Sequence, residues 1–300
     1  MLRTGRERRS SPSRPGLSLF FGVAACSTGA IFARLADAPP FLAAAFRCGI
    51  AAIVLGLVAA PKLRKELGAF QPRQWAGLAL AGVLLGLHFA TWLWSLTMTN
   101  VASSAVLVST SPFWAALLAP LVSHDRAGRW TKIGGLVAFS GTCVIAAAAH
   151  SSNQASLQGD LLALLGGLLL AAYLLAGRSL RQSLSLPVYA SACYGAAAIS
   201  LVLIRLVIPG ALAVGGVSSS SWGWLLMLAL VPQLIGHTLL NHALNEVSAH
   251  TVALAMLGEP IGAAALAWVF LGERVGLQTL LGAALVCTGL AMVSKLESTP

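Results

Sequence analysis

The side chains in this sequence that could bind a small molecule stand alone within long apolar runs. Two polar stripes are the most regular of them: His88, Trp92 and Ser95 at i, i+4, i+7, and Gln233, His237 and Asn241 at i, i+4, i+8. Helical periodicity puts each stripe on one face of a helix. Imidazole, amide and indole groups hold polar molecules by hydrogen bonds and stacking. The stripes therefore predict the lining of a shared cavity, although hydrogen bonds between packed helices would use the same residue types.

Glu259 stands directly before Pro260 in another apolar run. A carboxylic acid held away from water could take up and release a proton, which makes Glu259 a candidate for proton coupling. It could equally remain neutral and bond the backbone carbonyl that the proline leaves without an N–H partner. Pro112 interrupts a different run in the same way. The sequence thus predicts helix kinks at Pro112 and Pro260, which either act as hinges or give the cavity a fixed shape.

Aromatic and hydroxyl groups cluster around the first proline. Thr110, Ser111 and Trp114 flank it and, with Trp92 and Tyr173, could offer an aromatic and weakly polar surface to an amino acid. Plain core packing is the alternative use of such residues. We predict that substrate contacts His88, Trp92, Thr110, Ser111, Trp114, Tyr173, Gln233 and His237.

No catalytic constellation accompanies these residues. The sequence contains no Gly-x-Ser-x-Gly, His-Glu-x-x-His or Gly-x-x-x-x-Gly-Lys-[Ser/Thr] motif, which argues against serine hydrolysis, zinc catalysis and ATP-driven pumping. The five cysteines lack metal-ligand or paired spacing, and we expect them to be packing residues. We therefore expect no enzyme activity, no metal and no cofactor.

Composition places the chain in a membrane. Of its 300 residues, 57% are hydrophobic and 9% are charged, whereas a soluble domain carries roughly 25% charged residues. Residues 1–16 are expected to form a disordered cytoplasmic tail. Apolar runs of about 20 residues predict ten transmembrane helices. They lie near 17–36, 40–60, 75–97, 101–122, 130–149, 159–179, 187–208, 222–244, 249–271 and 276–295.

Lysine and arginine collect on one side of this arrangement. With the N-terminus in the cytoplasm, the opposite side receives only Arg34, Arg205 and Arg274. The cytoplasmic side receives Arg3, Arg6, Arg8, Arg9, Arg14, Lys62, Arg64, Lys65, Arg73, Arg126, Arg129, Lys132, Arg178, Arg181 and Lys295. The positive-inside rule then puts both termini in the cytoplasm. The net charge of +10 is a topological signal and does not require a nucleic-acid partner.

The chain repeats itself at a constant offset of 148 residues, which aligns Pro112 with Pro260 and Gly141 with Gly289. The repeats span 17–149 and 157–295, with five predicted helices in each. Because five is odd, the second repeat must enter the membrane from the opposite face. The sequence thus predicts an all-α integral membrane protein with ten transmembrane helices in two inverted-topology repeats. Many secondary transporters share this plan and bind substrate near the bilayer midplane.

A family resemblance rests on residues already described. The segments that carry it are Ala45-Phe46-Arg47, Ser111-Pro112-Phe113 with Asp125-Arg126, Gly159-Asp160-Leu161-Leu162-Ala163, and Glu259-Pro260-Ile261 with Leu271-Gly272-Glu273-Arg274. They resemble the drug/metabolite transporter superfamily in its ten-helix EamA-type branch, over about residues 17–295. The resemblance implies a carrier of the bacterial cytoplasmic (inner) membrane and is nearest to the aromatic amino-acid exporter subgroup. The chain departs from the pattern by carrying Ser111-Pro112 where Glu-Pro is expected, so this acid is present in the second repeat only.

These observations predict a secondary transporter that exports small metabolites, foremost aromatic or neutral amino acids, by alternating access. A drug, sugar or nucleoside carrier of the same fold is the alternative, and an intramembrane enzyme or a channel is disfavoured. A sugar-phosphate carrier would need several cavity cations, whereas Arg47 is the only deep one, with backbone carbonyls or Asp160 as its expected partners. The expected partners of the protein are a small-molecule substrate and membrane lipid, in a monomer or weak homodimer.

Overall fold

The computed structural model describes residues 15–296, except for 100, 123–128, 151–155, 205, 211 and 273–275. Every regular element in these ranges is helical. The α-helices are α1 (Pro15–Cys26), α2 (Gly29–Ala36), α3 (Pro40–Leu67), α4 (Pro72–Ser95), α5 (Val101–Val108), α6 (Ser111–Val122), α7 (Arg129–His150), α8 (Leu157–Ser183), α9 (Leu186–Ile204), α10 (Ser219–Leu228), α11 (Thr238–Ala243), α12 (Ala249–Ala255), α13 (Glu259–Leu271) and α14 (Leu277–Leu296). The tail before residue 15, both acid–arginine pairs (125–126 and 273–274) and Arg205 lie outside the described residues.

Most of the described helices are long and apolar enough to cross a membrane. Seven stretches meet that criterion by length and composition: Pro15–Ala36, Pro40–Leu67, Pro72–Ser95, Leu157–Ser183, Leu186–Ile204, Ser219–Ala243 and Ala249–Phe270. Two shorter apolar stretches are Ser104–Pro120 and Leu280–Gly289. The expectation of an all-helical chain with membrane-spanning helices is confirmed for the part of the chain that the structure describes.

Serine side chains begin several helices of the second half. Ser156, Ser218 and Ser248 each accept a hydrogen bond from the backbone N–H three residues later, at the starts of α8, α10 and α12. Such caps satisfy an N–H that has no partner within the helix. They fix the first turns of α8, which carries Tyr173, and of α10, which leads into the segment that carries Gln233.

Two membrane stretches change their helical geometry at positions that the repeat equates. In the first half, α5 ends at Val108 and α6 begins at Ser111. In the second, a 3-10 turn at Met256–Gly258 precedes α13 at Glu259. In each case proline is the second residue of the following helix, and its missing N–H cannot continue the preceding helix. Both interruptions leave irregular backbone deep in the fold.

Two further irregularities were not anticipated from the apolar runs. Ser27 and Thr28 separate α1 from α2, and their hydroxyls bond carbonyls of the preceding turn, a pattern that bends helices. Between α10 and α11, residues Ala229–His237 form a π-helix that contains Pro232. π-helical segments are rare and are often found at functional sites. The predicted membrane helix near 222–244 corresponds to the apolar stretch Ser219–Ala243, whose central turns are π-helical.

The last helices of the two halves pack against each other around matched glycines. A Cβ atom on Gly141 would lie 2.5 Å from the Gly282 carbonyl oxygen and 2.7 Å from the Val286 nitrogen. One on Gly289 would meet the Gly134 oxygen and, at 2.5 Å, the Ala138 nitrogen. The two sets of contacts are equivalent, because adding 148 to a residue number on α7 gives its counterpart on α14. Since residue numbers rise on α7 as they fall on α14, the two helices are antiparallel and related by a local two-fold axis.

Small residues also bring α4 close to its neighbours. A Cβ atom on Gly82 would clash with Ala196 and with the Cys193 carbonyl oxygen at 2.8 Å, and one on Gly86 would lie 3.0 Å from the Ala197 oxygen. Both glycines therefore allow α9 to lie directly on α4. The opposite face of α4, which carries His88 and Trp92, is left to face the centre of the molecule.

Candidate substrate site

A small cavity lies where the two halves meet. Its volume is about 10 Å³, which is close to the space that one water molecule needs. The first half contributes Cys26, Arg47, His88, Phe89, Trp92 and Val108, and the second contributes Pro232, His237, Met256 and Glu259. Several of these residues stand at the helix interruptions described above. Irregular backbone is tolerated at membrane depth where it lines such a cavity.

Arg47 is the charged centre of this cavity and is only 1% exposed. Its Nε donates a hydrogen bond of 2.8 Å to Gln233 Oε1. Its guanidinium carbon lies 3.9 Å from the centre of the Phe89 ring and 5.8 Å from that of Trp92, so the cation is also held by the ring faces. Among the described residues, Nη1 of Arg47 and Nε2 of Gln233 have no hydrogen-bond partner. Two buried donors are therefore left unused.

The expected pairing of Arg47 with a backbone carbonyl or with Asp160 is wrong. Asp160 instead accepts a 3.0 Å hydrogen bond from Thr99 Oγ1 at the start of α8. Arg47 lies in the interior, where Gln233 reaches it from the π-helix. The pairing joins the first half of the molecule to the second.

The two predicted stripes meet at their histidines. The ring centroids of His88 and His237 are 6.5 Å apart. His88 stacks on Trp92 at 6.3 Å, and Phe89 meets His237 edge-on at 4.9 Å. His88 Nδ1 is 2.9 Å from the Gly166 carbonyl oxygen, and because a carbonyl only accepts, Nδ1 must carry the hydrogen. The cavity wall is thus aromatic, with Nε2 as the remaining polar atom of His88.

Glu259 places a carboxyl group on the same cavity, on the second-half side. Its backbone carbonyl accepts a 3.3 Å hydrogen bond from Ser27 Oγ, which links the break between α1 and α2 to the start of α13. Within the described part of the chain, the carboxyl group forms no hydrogen bond and no ion pair with Arg47. The cavity therefore has a cation and an acid that are not joined directly.

The remaining predicted contact residues lie away from the cavity in this conformation. Tyr173 donates to Asn241 Oδ1 at 2.6 Å, and Asn241 Nδ2 donates to Tyr194 at 3.1 Å. Thr110 Oγ1 accepts from Trp114 Nε1 at 3.1 Å. Ser111 is fully buried, and its hydroxyl has no hydrogen-bond partner among the described residues. These groups connect helices rather than line the cavity.

Sequence reasoning missed Phe89 and the central role of Arg47. Phe89 is one residue from the predicted stripe and looked like ordinary core. A detectable signal did exist for Arg47, since an arginine in the middle of an apolar helix needs either partners or a ligand. Cys26 and Pro232 also line the cavity, but only because helices break beside them.

A larger space of about 590 Å³ lies between α1, α12, α13 and α14. Its lining is almost wholly apolar, with Ser27 and Thr251 as the hydroxyl-bearing members, and it includes Phe20, which is 67% exposed. A surface of this kind suits a lipid acyl chain better than a polar metabolite. The charged cavity is the better candidate for a substrate site.

Two arginines at helix ends donate hydrogen bonds to the carbonyl oxygens of neighbouring loops. At the end of α2, Arg34 Nη2 donates to the Thr99 carbonyl oxygen at 2.8 Å; we name this contact the α2 latch. At the end of α8, Arg178 Nη1 donates to the carbonyl oxygens of Leu244, at 2.6 Å, and Val247, and this is the α8 latch. Thr99 and Val247 are 148 residues apart, so each repeat fastens its first stretch to the loop after its third.

The two latches lie at opposite ends of the molecule. α8 begins beside the α2 latch, where Asp160 bonds Thr99, and it reaches Arg178 after a helical rise of roughly 27 Å at 1.5 Å per residue. Arg181 strengthens the far end by donating to the Asn241 carbonyl oxygen at 2.9 Å. The two latches therefore hold helix ends in place at the two ends of the molecule.

Two matched halves around a polar cavity are an arrangement that many helical membrane carriers share. A model of the EamA-like transporter family matches residues 14–147 and again 157–295. The chain belongs to the EamA-like transporter family, within the drug/metabolite transporter superfamily, and contains two EamA repeats. It is an integral membrane protein of a family of transporters.

Comparison of structures agrees on the fold. A solved structure described only as "Crystal structure of protein" superimposes with a TM-score of 0.76 at 20% sequence identity, covering 94% of this chain and 96% of that chain. No curated protein matches the sequence. At this identity the likeness concerns the fold alone.

Proposed function

We propose that this protein is a ten-span secondary transporter that exports small metabolites, foremost aromatic or neutral amino acids, by alternating access across a bacterial inner membrane. The seven long stretches, the broken pair α5–α6, and α7 and α14 together make ten spans, with both termini on the cytoplasmic side. The antiparallel packing of α7 and α14 supports the inverted repeat, because helices of repeats with equal topology would be parallel.

The observation that carries the proposal is the polar cavity between the halves, with one arginine latch at each end of the molecule. A carrier must expose its site to one side at a time, and two separate closures allow this. In this conformation the proposed contacts are His88, Trp92 and His237, which line the cavity, and Gln233, which is bonded to the cavity residue Arg47. Thr110, Ser111, Trp114 and Tyr173 join them when the helices separate around the breaks at Pro112 and Pro260.

Flux in proteoliposomes tests the proposal. Purified protein is expected to give saturable uptake of radiolabelled L-phenylalanine or another neutral amino acid, with mutual competition within an amino-acid panel. Empty liposomes and heat-inactivated protein are the controls. If no amino acid is transported but cationic drugs, sugars or nucleosides are, the proposed substrate class would be wrong and the proposal of a carrier would stand. Movement of no solute by folded protein would contradict transport itself.

Glu259→Gln is expected to remove the response of flux to an imposed pH gradient. Glu259 is the acid that lines the cavity, and it is our candidate for proton exchange because a carboxyl group can be neutralised there while an amide cannot. Wild type should accelerate severalfold when a gradient is imposed, and the variant should show one rate with or without it. An equal acceleration in both proteins would remove Glu259 from coupling.

A further inference from the structure

Two unused donors suggest what part of a substrate the centre of the molecule binds: one is on Arg47, which lines the cavity, and the other is on Gln233, which is bonded to Arg47. A buried arginine whose hydrogen-bonding capacity is only partly filled is costly in a membrane interior. Arg47 has one hydrogen bond, to Gln233, and ring faces on one side. Its Nη1 has no hydrogen-bond partner, and neither has Gln233 Nε2, within the residues that the structure describes. Both donors could bind acceptor oxygens of a ligand.

We propose that Arg47 and Gln233 form a carboxylate-binding subsite for a zwitterionic substrate. The hydrogen bond from Arg47 Nε to Gln233 Oε1 fixes the orientation of the amide. Its oxygen then accepts from Arg47, and its NH₂ group can donate to a ligand. Guanidinium and amide donors on one carboxylate form charge-assisted hydrogen bonds, which are among the stronger kinds in proteins. This inference rests on the proposed function, which it deepens by naming the recognised group.

The rest of the cavity favours a zwitterion over a simple anion. Glu259 lines the same small space and would oppose a second negative charge unless the ligand also carries a cationic group. Phe89, Trp92 and His237 supply ring surfaces for an apolar side chain. A free α-amino acid with an aromatic or neutral side chain combines all three features.

Gln233→Glu is the sharpest test because it builds the missing anion into the protein. The substitution preserves shape and keeps the acceptor for Arg47 Nε, and the added carboxylate oxygen neutralises the cation. The variant is expected to unfold at a higher temperature than wild type while its affinity for L-phenylalanine falls at least about tenfold. Gln74→Glu is the matched control: Gln74 Oε1 only accepts from the Gln71 backbone N–H at the start of α4, and a glutamate can do the same.

Binding is measured on purified protein by thermal stabilisation, with a panel of L-amino acids as probes. Phenethylamine, which lacks the carboxylate, should not stabilise wild type at concentrations at which L-phenylalanine does; 3-phenylpropionate, which lacks the ammonium group, should act more weakly than L-phenylalanine. Arg47→Met should abolish the L-phenylalanine effect if it folds, and Gln233→Glu carries the test if it does not.

The subsite is overturned if phenethylamine binds as well as L-phenylalanine, if no amino acid of the panel binds, or if Gln233→Glu keeps wild-type affinity. The carrier proposal is judged separately by flux. A protein that transports phenethylamine equally well before and after Gln233→Glu would be a carrier without a carboxylate subsite.

Discussion

Arg178→Gln is expected to open the cavity at the face where α8 ends, and Arg34→Gln is expected to open it at the opposite face. Each substitution removes the guanidinium group that donates to the loop carbonyl oxygens of its latch. Hydrogen bonds to charged groups contribute about 1.5–3 kcal/mol. Loss of one latch should therefore shift the balance between closed and open states roughly ten- to a hundredfold.

Cys26 is a built-in reporter for this opening, since its thiol lines the cavity and the residue is only 3% exposed. In a background where the other four cysteines are replaced by alanine, a membrane-impermeant thiol reagent is applied from one side of the membrane at a time. Arg178→Gln should accelerate labelling of Cys26 from the α8-latch side only. Arg34→Gln should accelerate it from the α2-latch side only.

A control variant distinguishes the opening of one face from a general loosening of the fold. Ser200→Ala is a suitable control, because Ser200 lies on α9 away from both latches and its hydroxyl bonds a carbonyl of its own helix. Its labelling rate should equal that of the parent from either side. Acceleration from both sides by either latch variant would mean that the arginines stabilise the bundle as a whole and do not close one face each.

The features that sequence could predict are those that depend on one helix at a time. Apolar runs show where helices lie because a lipid-facing helix must be apolar along its length. The spacing of His88 and Trp92 gives their shared face because the helical period is fixed. Both residues and His237 reach the cavity, although the π-helix alters the turn before His237. Pro232 was the available signal for that change.

The features that sequence could not predict depend on how helices pair. Arg47 reaches Gln233 only because α3 and the π-helix come together, and no spacing along the chain encodes this contact. The same limit explains Tyr173, which is on a suitable face of α8 but is satisfied by Asn241 outside the cavity. The latches also escaped notice, since Arg34 and Arg178 were interpreted only as topological charges.

Gly141→Val and Gly289→Val are expected to destabilise the protein to nearly the same extent. In both cases the added side chain meets backbone atoms of the partner helix, at 2.5 Å for Gly141 against the Gly282 oxygen, and a rotamer change cannot relieve a backbone contact. Overpacking of a core costs about 1–3 kcal/mol, and this case should lie at the upper end. A fall in the unfolding midpoint of roughly 10 °C is expected, measured by thermal unfolding in detergent.

The local two-fold axis predicts that the two substitutions lower the unfolding midpoint by the same amount. α7 and α14 present the same small residues to each other at positions 148 apart, so each valine should force the same separation at its own end. Gly223→Val is the control, because within the described part of the chain no atom outside the neighbouring residues and backbone of its own helix lies within 4 Å of a Cβ built on Gly223. It should leave the midpoint nearly unchanged. If only one of the two α7–α14 variants were destabilised, the packing would be asymmetric, and the inverted relation of the repeats would lose its strongest structural support.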